Sequence, residues 1–156
     1  MSSIVALNAL RDSLRDNLSD PYVSAGGNSR TWVWTDEPLM GAKYPQIQLK
    51  KIDNPSSVLS IGPNYGEREY LVVNVWFYAK KGFKNTISGT VYKDEQLVEY
   101  YLGQIKTTLK ADGSNLFDAG AKSYRHLNTT PVGYDENTQL HFAAVTVRVE
   151  YFTTCS

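Results

Sequence analysis

The chain carries a single cysteine, Cys155, in 156 residues. Without a second thiol there is no disulfide framework to imply an oxidising compartment, so a reducing cytoplasm suits it. An excess of either charge is also missing. Sixteen basic and sixteen acidic side chains cancel to a formal charge of zero, which argues against a dedicated nucleic-acid coat because phosphate binding needs a positive surplus. The densest basic cluster, Lys80, Lys81 and Lys84, reads as a charged turn at a strand end. Long hydrophobic runs are absent as well: Leu71 to Ala79 is far shorter than the ~20 apolar residues of a membrane helix. The first residues have no basic stretch, and their apolar positions are interrupted by Asn8, Arg11 and Asp12, unlike the continuous core of a signal peptide. With no export signal, the sequons at Asn17-Leu18-Ser19 and Asn128-Thr129-Thr130 read as chance.

Motifs that carry chemistry are lacking too. The glycine-rich stretch Ser24 to Ser29 has neither Walker spacing nor a Gly-x-Gly-x-x-Gly pattern, and reads as a flexible loop. No Gly-x-Ser-x-Gly elbow supports a hydrolase. The two histidines, His126 and His141, flank the last long loop and would face each other across a symmetric hairpin, with Asp135 and Glu136 between them. No HExxH or CxxC spacing supports a zinc site there, so both read as surface residues at strand ends. Cys155 sits at a terminus that cannot hold a general base in register. The expectation is a non-enzymatic protein with no catalytic residues, no cofactor and no metal.

What the sequence does have is amphipathic pattern. Composition is ordinary for a globular protein, at 42% hydrophobic and 21% charged residues. One domain over residues 1–156 is expected, long enough to bury roughly 68–70% of its extended-chain surface. Ile4, Leu7, Leu10, Leu14 and Leu18 recur at helical spacing, predicting a helix from Ser3 to about Leu18 that Ser19-Asp20-Pro21 ends. Thr31 to Thr35 reads as a short strand whose tryptophans, Trp32 and Trp34, share a face. A turn at Asp36 to Gly41 leads to a half-buried strand from Tyr44 to Ile52, with Pro45 marking an edge or a first position. Asp53-Asn54-Pro55-Ser56 reads as a turn, Val58 to Ile61 as a weak strand, and Gly62 to Gly66 as another turn, making an antiparallel meander the simplest topology.

The longest strand pattern is Glu69 to Lys80. Alternation puts Leu71, Val73, Val75, Phe77 and Ala79 on one face and Tyr70, Val72, Asn74, Trp76, Tyr78 and Lys80 on the other. The first face is core, whereas the second has the aromatic and amide mixture of a protein contact. Lys81 to Gly89 reads as an exposed loop. Asp94 to about Lys110 then places Leu97, Val98, Tyr101, Leu102, Ile105 and Leu109 at helical spacing, with a stop at Asp112-Gly113. A strand from about Lys122 to Leu127, a loop from Asn128 to Thr138 and a strand from His141 to Thr153 complete the chain. In the last strand Ala143, Val145, Val147, Val149 and Tyr151 point inward, and Thr146, Arg148 and Glu150 outward. The fold class is therefore α+β, an antiparallel sheet of a meander plus a C-terminal hairpin, packed with an N-terminal helix and one longer helix.

That order, with the segments LVVNVWFYAKKGF, DEQLVEYYLGQIKTTL and AAVTVRVEYFTT, resembles the tail terminator, tail completion or neck proteins of long-tailed bacteriophages and related archaeal viruses. The resemblance implies a structural virion protein, made in the host cytoplasm and located in the tail or neck. It implies a homo-oligomeric ring, with a hexamer favoured, between the tail tube and the head-completion protein. DNA would pass through the lumen without sequence-specific binding, and no membrane would be involved. The loops Pro21 to Arg30 and Asn128 to Thr138 are larger than is usual in that family, and leave a tail tube subunit or another head-tail connector as the alternative. A monomeric ligand- or peptide-binding module, with a cleft between the sheet and the Lys81 to Gly89 loop, is the alternative of a different class. With no chemistry elsewhere, the candidate subunit interface is Trp32, Trp34, Tyr70, Asn74, Trp76, Tyr78 and Phe83.

Overall fold

The computed structural model describes residues 3–35, 43–53, 56–58, 65–118 and 120–155. Its helices are α1 (Ser3–Asn17), α2 (Pro21–Ser24), α3 (Glu95–Ala111) and α4 (Gly113–Asp118). Its strands are β1 (Val33–Trp34), β2 (Gln46–Asp53), β3 (Ser56–Val58), β4 (Tyr65–Lys80), β5 (Lys84–Ile87), β6 (Thr90–Lys93), β7 (Ala121–Thr129), β8 (Gly133–Asp135) and β9 (Leu140–Cys155). The main sheet runs β1-β2-β4-β9-β7, with β3 also on β4 and β8 also on β9; β5 and β6 form a separate hairpin. The α+β expectation holds.

The centre of the sheet is the pairing of β4 with β9, antiparallel and unbroken from Tyr65↔Cys155 to Lys80↔Leu140. Both strands alternate strictly. Leu71, Val73, Val75, Phe77 and Ala79 on β4, and Ala143, Val145, Val147, Val149 and Tyr151 on β9, are fully buried. Directly opposed residues share a face, so this register stacks two apolar rows side by side; a slip of one strand by one residue would turn its own row into solvent and leave the other row without its partner. The helices cover this face. All six stripe residues expected of α3 are buried, and the Tyr101 ring lies flat on Phe77, centroids 4.7 Å apart at 2°. The helix starts without a side-chain cap: Asp94, at φ 51°, gives its carboxylate to the Gly82 amide, 2.8 Å away.

Several expectations are corrected. On α1 the buried positions are Ala6, Leu10, Ser13 and Leu14, while Ile4 is 69% exposed; the inward stripe is rotated away from the Ile4 line because α1 packs against both α3 and β4. β1 joins β2 in parallel, through Val33↔Ile47 and Trp34↔Gln48, rather than extending an antiparallel meander. The Arg15 guanidinium fixes that arrangement from α1, donating to the Val33 carbonyl at 2.6 and 3.1 Å. Asn54 and Pro55, the centre of the turn expected at Asp53 to Ser56, lie outside the described residues. On either side of them, β2 pairs β4 down to Asp53↔Val72 and β3 pairs the same strand from Ser56↔Glu69, both antiparallel. Pro45 stands at the entry of β2, which is an inner strand at Ile47 and Gln48. The turn expected at Asp36 to Gly41 lies outside the described residues, as do residues 59–64.

Two expected loops are built structures. Lys81 to Gly89 contributes β5 to a hairpin with β6, turning at Ser88 and Gly89 with φ 51° and 82°, the paired positive values that suit strand twist. The segment after α1 is clamped rather than free. Asp20 caps α2 by accepting from the Tyr22 amide and receives two bonds from Arg30, at 2.9 and 3.0 Å. The same guanidinium donates to the carbonyls of Lys43 and Pro45 and lies over the Tyr22 ring. The long loop after β7 is also shortened, since β7 reaches Thr129 and β8 returns to β9.

Candidate protein-contact surface

Because β4 and β9 alternate, whatever is not on the helix face must lie on the other, and no helix packs there among the described residues. On β4 that face presents Tyr70, Val72, Asn74, Trp76 and Tyr78, all partly exposed. Cross-strand register supplies their neighbours: Trp76 sits between Gln48 and Ala144, Tyr78 between Gln46 and Phe142, and Asn74 between Lys50 and Thr146.

The face divides into three zones along β4. At the end nearest Lys80 is an aromatic cluster. Trp76 stacks on Tyr78 with centroids 6.1 Å apart, Phe142 lies 6.0 Å from Trp76 and 6.3 Å from Tyr78, and Tyr44 meets Tyr78 edge-on at 6.3 Å. Gln46 and Gln48 are buried beside these rings and bond each other weakly at 3.4 Å. The middle is polar: the Thr146 hydroxyl donates to Asn74 Oδ1 at 2.6 Å. So the amide that interrupts the apolar strand is satisfied across the ladder. At the far end Arg148 lies over the Tyr70 ring, 4.8 Å from its centroid, and Ser123 donates to Glu150 at 3.2 Å.

The candidate interface residues do not all belong to this surface. Tyr70, Asn74, Trp76 and Tyr78 do. Trp34 joins them at the aromatic end, beside Gln48, with its indole Nε1 buried and unbonded. Trp32 is corrected to core: it is 5% exposed and meets Tyr101 edge-on at 6.1 Å. It precedes β1 and turns toward the helices, so the two tryptophans do not share a face. Phe83, just before β5, is partly buried and packs against the core. Phe142 and Tyr44 are additions. Phe142 was available from the β9 alternation, one residue before inward-facing Ala143; Tyr44 had no such signal, because its place depends on the chain entering β2 beside Tyr78.

No family model matches the chain. No curated protein matches it either. Among solved structures it aligns with a chain from the virion of a native gene transfer agent particle, at 13% identity over 94% of each chain and a TM-score of 0.44.

The histidines are far apart in register. His126 pairs with Val147 and exchanges a hydrogen bond with Thr129 at 2.9 Å, whereas His141 pairs with Tyr134, meets its ring at a tilt of 36°, and lies 3.7 Å from the Asp94 carboxylate. Among the described residues no group of His, Cys, Asp and Glu is placed to hold a metal. No helix among them is long and apolar enough to cross a membrane. Two phenols are shifted. Burial, helped by Tyr100 and Asp20, raises Tyr101 above the ordinary tyrosine value, and its hydroxyl donates to the Ser19 carbonyl at 2.8 Å. Burial alone pushes Tyr124 up to about 12, and its hydroxyl has no partner.

Proposed function

We propose that this chain is a structural virion protein, a tail terminator or neck subunit that forms a ring at the head-proximal end of the tail tube and joins it to the head connector. What carries the proposal is the aromatic end of the sheet face that no helix covers among the described residues, Trp76, Tyr78, Phe142 and Tyr44 on a rigid β4–β9 platform. Aromatic side chains of this kind dominate the energetics of protein contacts because each buries a large area at little rotamer cost. The polar middle and the charged far end then suit the rim of such a contact, where hydrogen bonds and charge fix orientation. The family resemblance of the sequence supplies the ring and its place in the particle; the distant virion alignment adds no weight. The chain acts through surface alone, without a catalytic step or a cofactor.

Repetition of one patch around a ring is the simplest way to use it. Size-exclusion light scattering and negative-stain imaging of the purified chain, alone and with its tail tube protein, test this. A closed ring in either condition is expected. A strict monomer in both, at micromolar concentration, would contradict it.

A further inference from the structure

Helix α3 shows solvent a stripe whose charge changes sign about its middle. Glu95, Glu99, Gly103, Lys106 and Lys110 follow one another at intervals of four, four, three and four residues, so they share one side of the helix, and all five are exposed. Within the helix these charges gain nothing from one another. Their four-residue neighbours are Glu95 with Glu99 and Lys106 with Lys110, like charges that repel. None of the four is in an ion pair with another described residue. The helix dipole accounts for Glu95 in the first turn and Lys110 in the last, but it fades within a turn of each end and does not reach Glu99 or Lys106.

The centre of the stripe is equally unexplained from inside the chain. Glycine weakens a helix interior relative to alanine. Yet a Cβ at Gly103 would meet no described atom within 4 Å, so no packing contact within the described chain demands glycine there. Beside it a cleft of about 410 Å³ opens between α3 and residues 129–132, with Leu102, Pro131 and Val132 in its lining. An exposed glycine with free space over it lets another backbone come close, and the cleft leaves room for the side chains such a neighbour brings.

What fits this face is the face itself. An antiparallel copy of α3, crossing over Gly103 on a two-fold axis, sets each Glu99 beside the partner's Lys106. Glu99 lies four residues before Gly103 and Lys106 three after it, a mismatch of one residue or about 1.5 Å along the axis. Glu95 meets the partner's Lys110 in the same way. A parallel copy in register would set like charge on like. A two-fold contact uses one patch twice and needs a self-complementary patch, which this stripe is. We propose that α3 is a second contact surface, on which two copies of this chain pair antiparallel about Gly103. The contact differs from the head-to-tail contacts that close a ring, and it is independent of the aromatic face and of the virion reading.

Disulfide trapping in the full chain tests this. With the only cysteine removed by Cys155→Ser, Gly103→Cys puts a thiol beside the two-fold axis, within reach of its own copy, and the free space there lets the side chain fit. Mild oxidation at submillimolar concentration should give a covalent dimer. Gln96→Cys, also exposed on α3, is the control: its two copies would lie about 21 Å apart along the axis and should not cross-link. Lys106→Glu, added to Gly103→Cys, should slow dimer formation roughly tenfold or more, because it makes both symmetric pairs repulsive. Adding Glu99→Lys as well should restore most of the rate, and Trp76→Ala should change nothing. The proposal would be overturned by no more dimer from Gly103→Cys than from Gln96→Cys, by a rate indifferent to Lys106→Glu, by no recovery with Glu99→Lys, or by loss of trapping with Trp76→Ala. Melting curves of each variant show that a change in trapping is not a change in fold.

Discussion

Replacing Trp76 by alanine separates a contact surface from a core more sharply than any other change. Trp76 touches Tyr78 and Phe142 on an open face, and an aromatic pair contributes about 0.5–1.5 kcal/mol beyond its area. Two such pairs, partly solvated, put the loss in the isolated chain at about 1–2 kcal/mol, or roughly 2–8 °C in melting temperature for a chain of this length. Phe77 is the control on the same strand. It is fully buried beneath Tyr101, so Phe77→Ala should cost about 3–5 kcal/mol. Association should show the reverse order. A central aromatic anchor is worth about 2 kcal/mol or more at an interface, which is roughly thirtyfold in the dissociation constant of each contact. Urea unfolding below the association range gives the first quantity, and sedimentation equilibrium of the folded variants gives the second. If Trp76→Ala destabilised the isolated chain as much as Phe77→Ala, or left association untouched, the assignment of the two faces would be wrong.

Two further substitutions test the packing. Tyr124→Phe removes a buried hydroxyl that has no partner, so urea unfolding at neutral pH should show equal or slightly higher stability. The folded phenol's pKa of about 12 lies above the unfolded value near 10, so its contribution is whole below pH 10 and is lost as pH climbs through 12. The variant should therefore lose less stability than the parent between pH 9 and about 11.5, with Tyr101 retaining part of the slope; identical slopes would remove Tyr124 from that account. Arg30→Ala leaves the Asp20 carboxylate, only 8% exposed, without its cation, and a cost of about 3–5 kcal/mol is expected in thermal or urea unfolding. Arg30→Lys should recover little, because one ammonium cannot reproduce the two-pronged bond to Asp20 together with the donations to Lys43 and Pro45.

The features legible in the sequence are those whose cause is local period. Alternation over Leu71 to Ala79 and Ala143 to Tyr151 and the helical stripe of α3 each predict burial residue by residue, because one face of each element is wholly apolar. The misread features depend on distant partners. Ile4 fits the α1 period but not the orientation that α3 and β4 impose. Trp32 and Trp34 alternate like strand neighbours, but only Trp34 is in the ladder, and the core claims the other. The β5–β6 hairpin had a local signal that composition concealed: Ser88-Gly89 between Asn85-Thr86-Ile87 and Thr90-Val91-Tyr92 fits a two-residue turn. For the contact surface, the β4 half follows from alternation. The Tyr44 and Phe142 half requires the register.

The central claim, that the aromatic end of the open face is covered by protein in the assembled state, is tested most directly by hydroxyl-radical footprinting of the chain at dilute and assembling concentrations. Oxidation of Trp76, Tyr78 and Phe142 should fall several-fold on assembly, while Phe117, exposed on α4, stays constant. Equal oxidation of those three rings in both states, with an oligomer confirmed in the same samples, would contradict the claim.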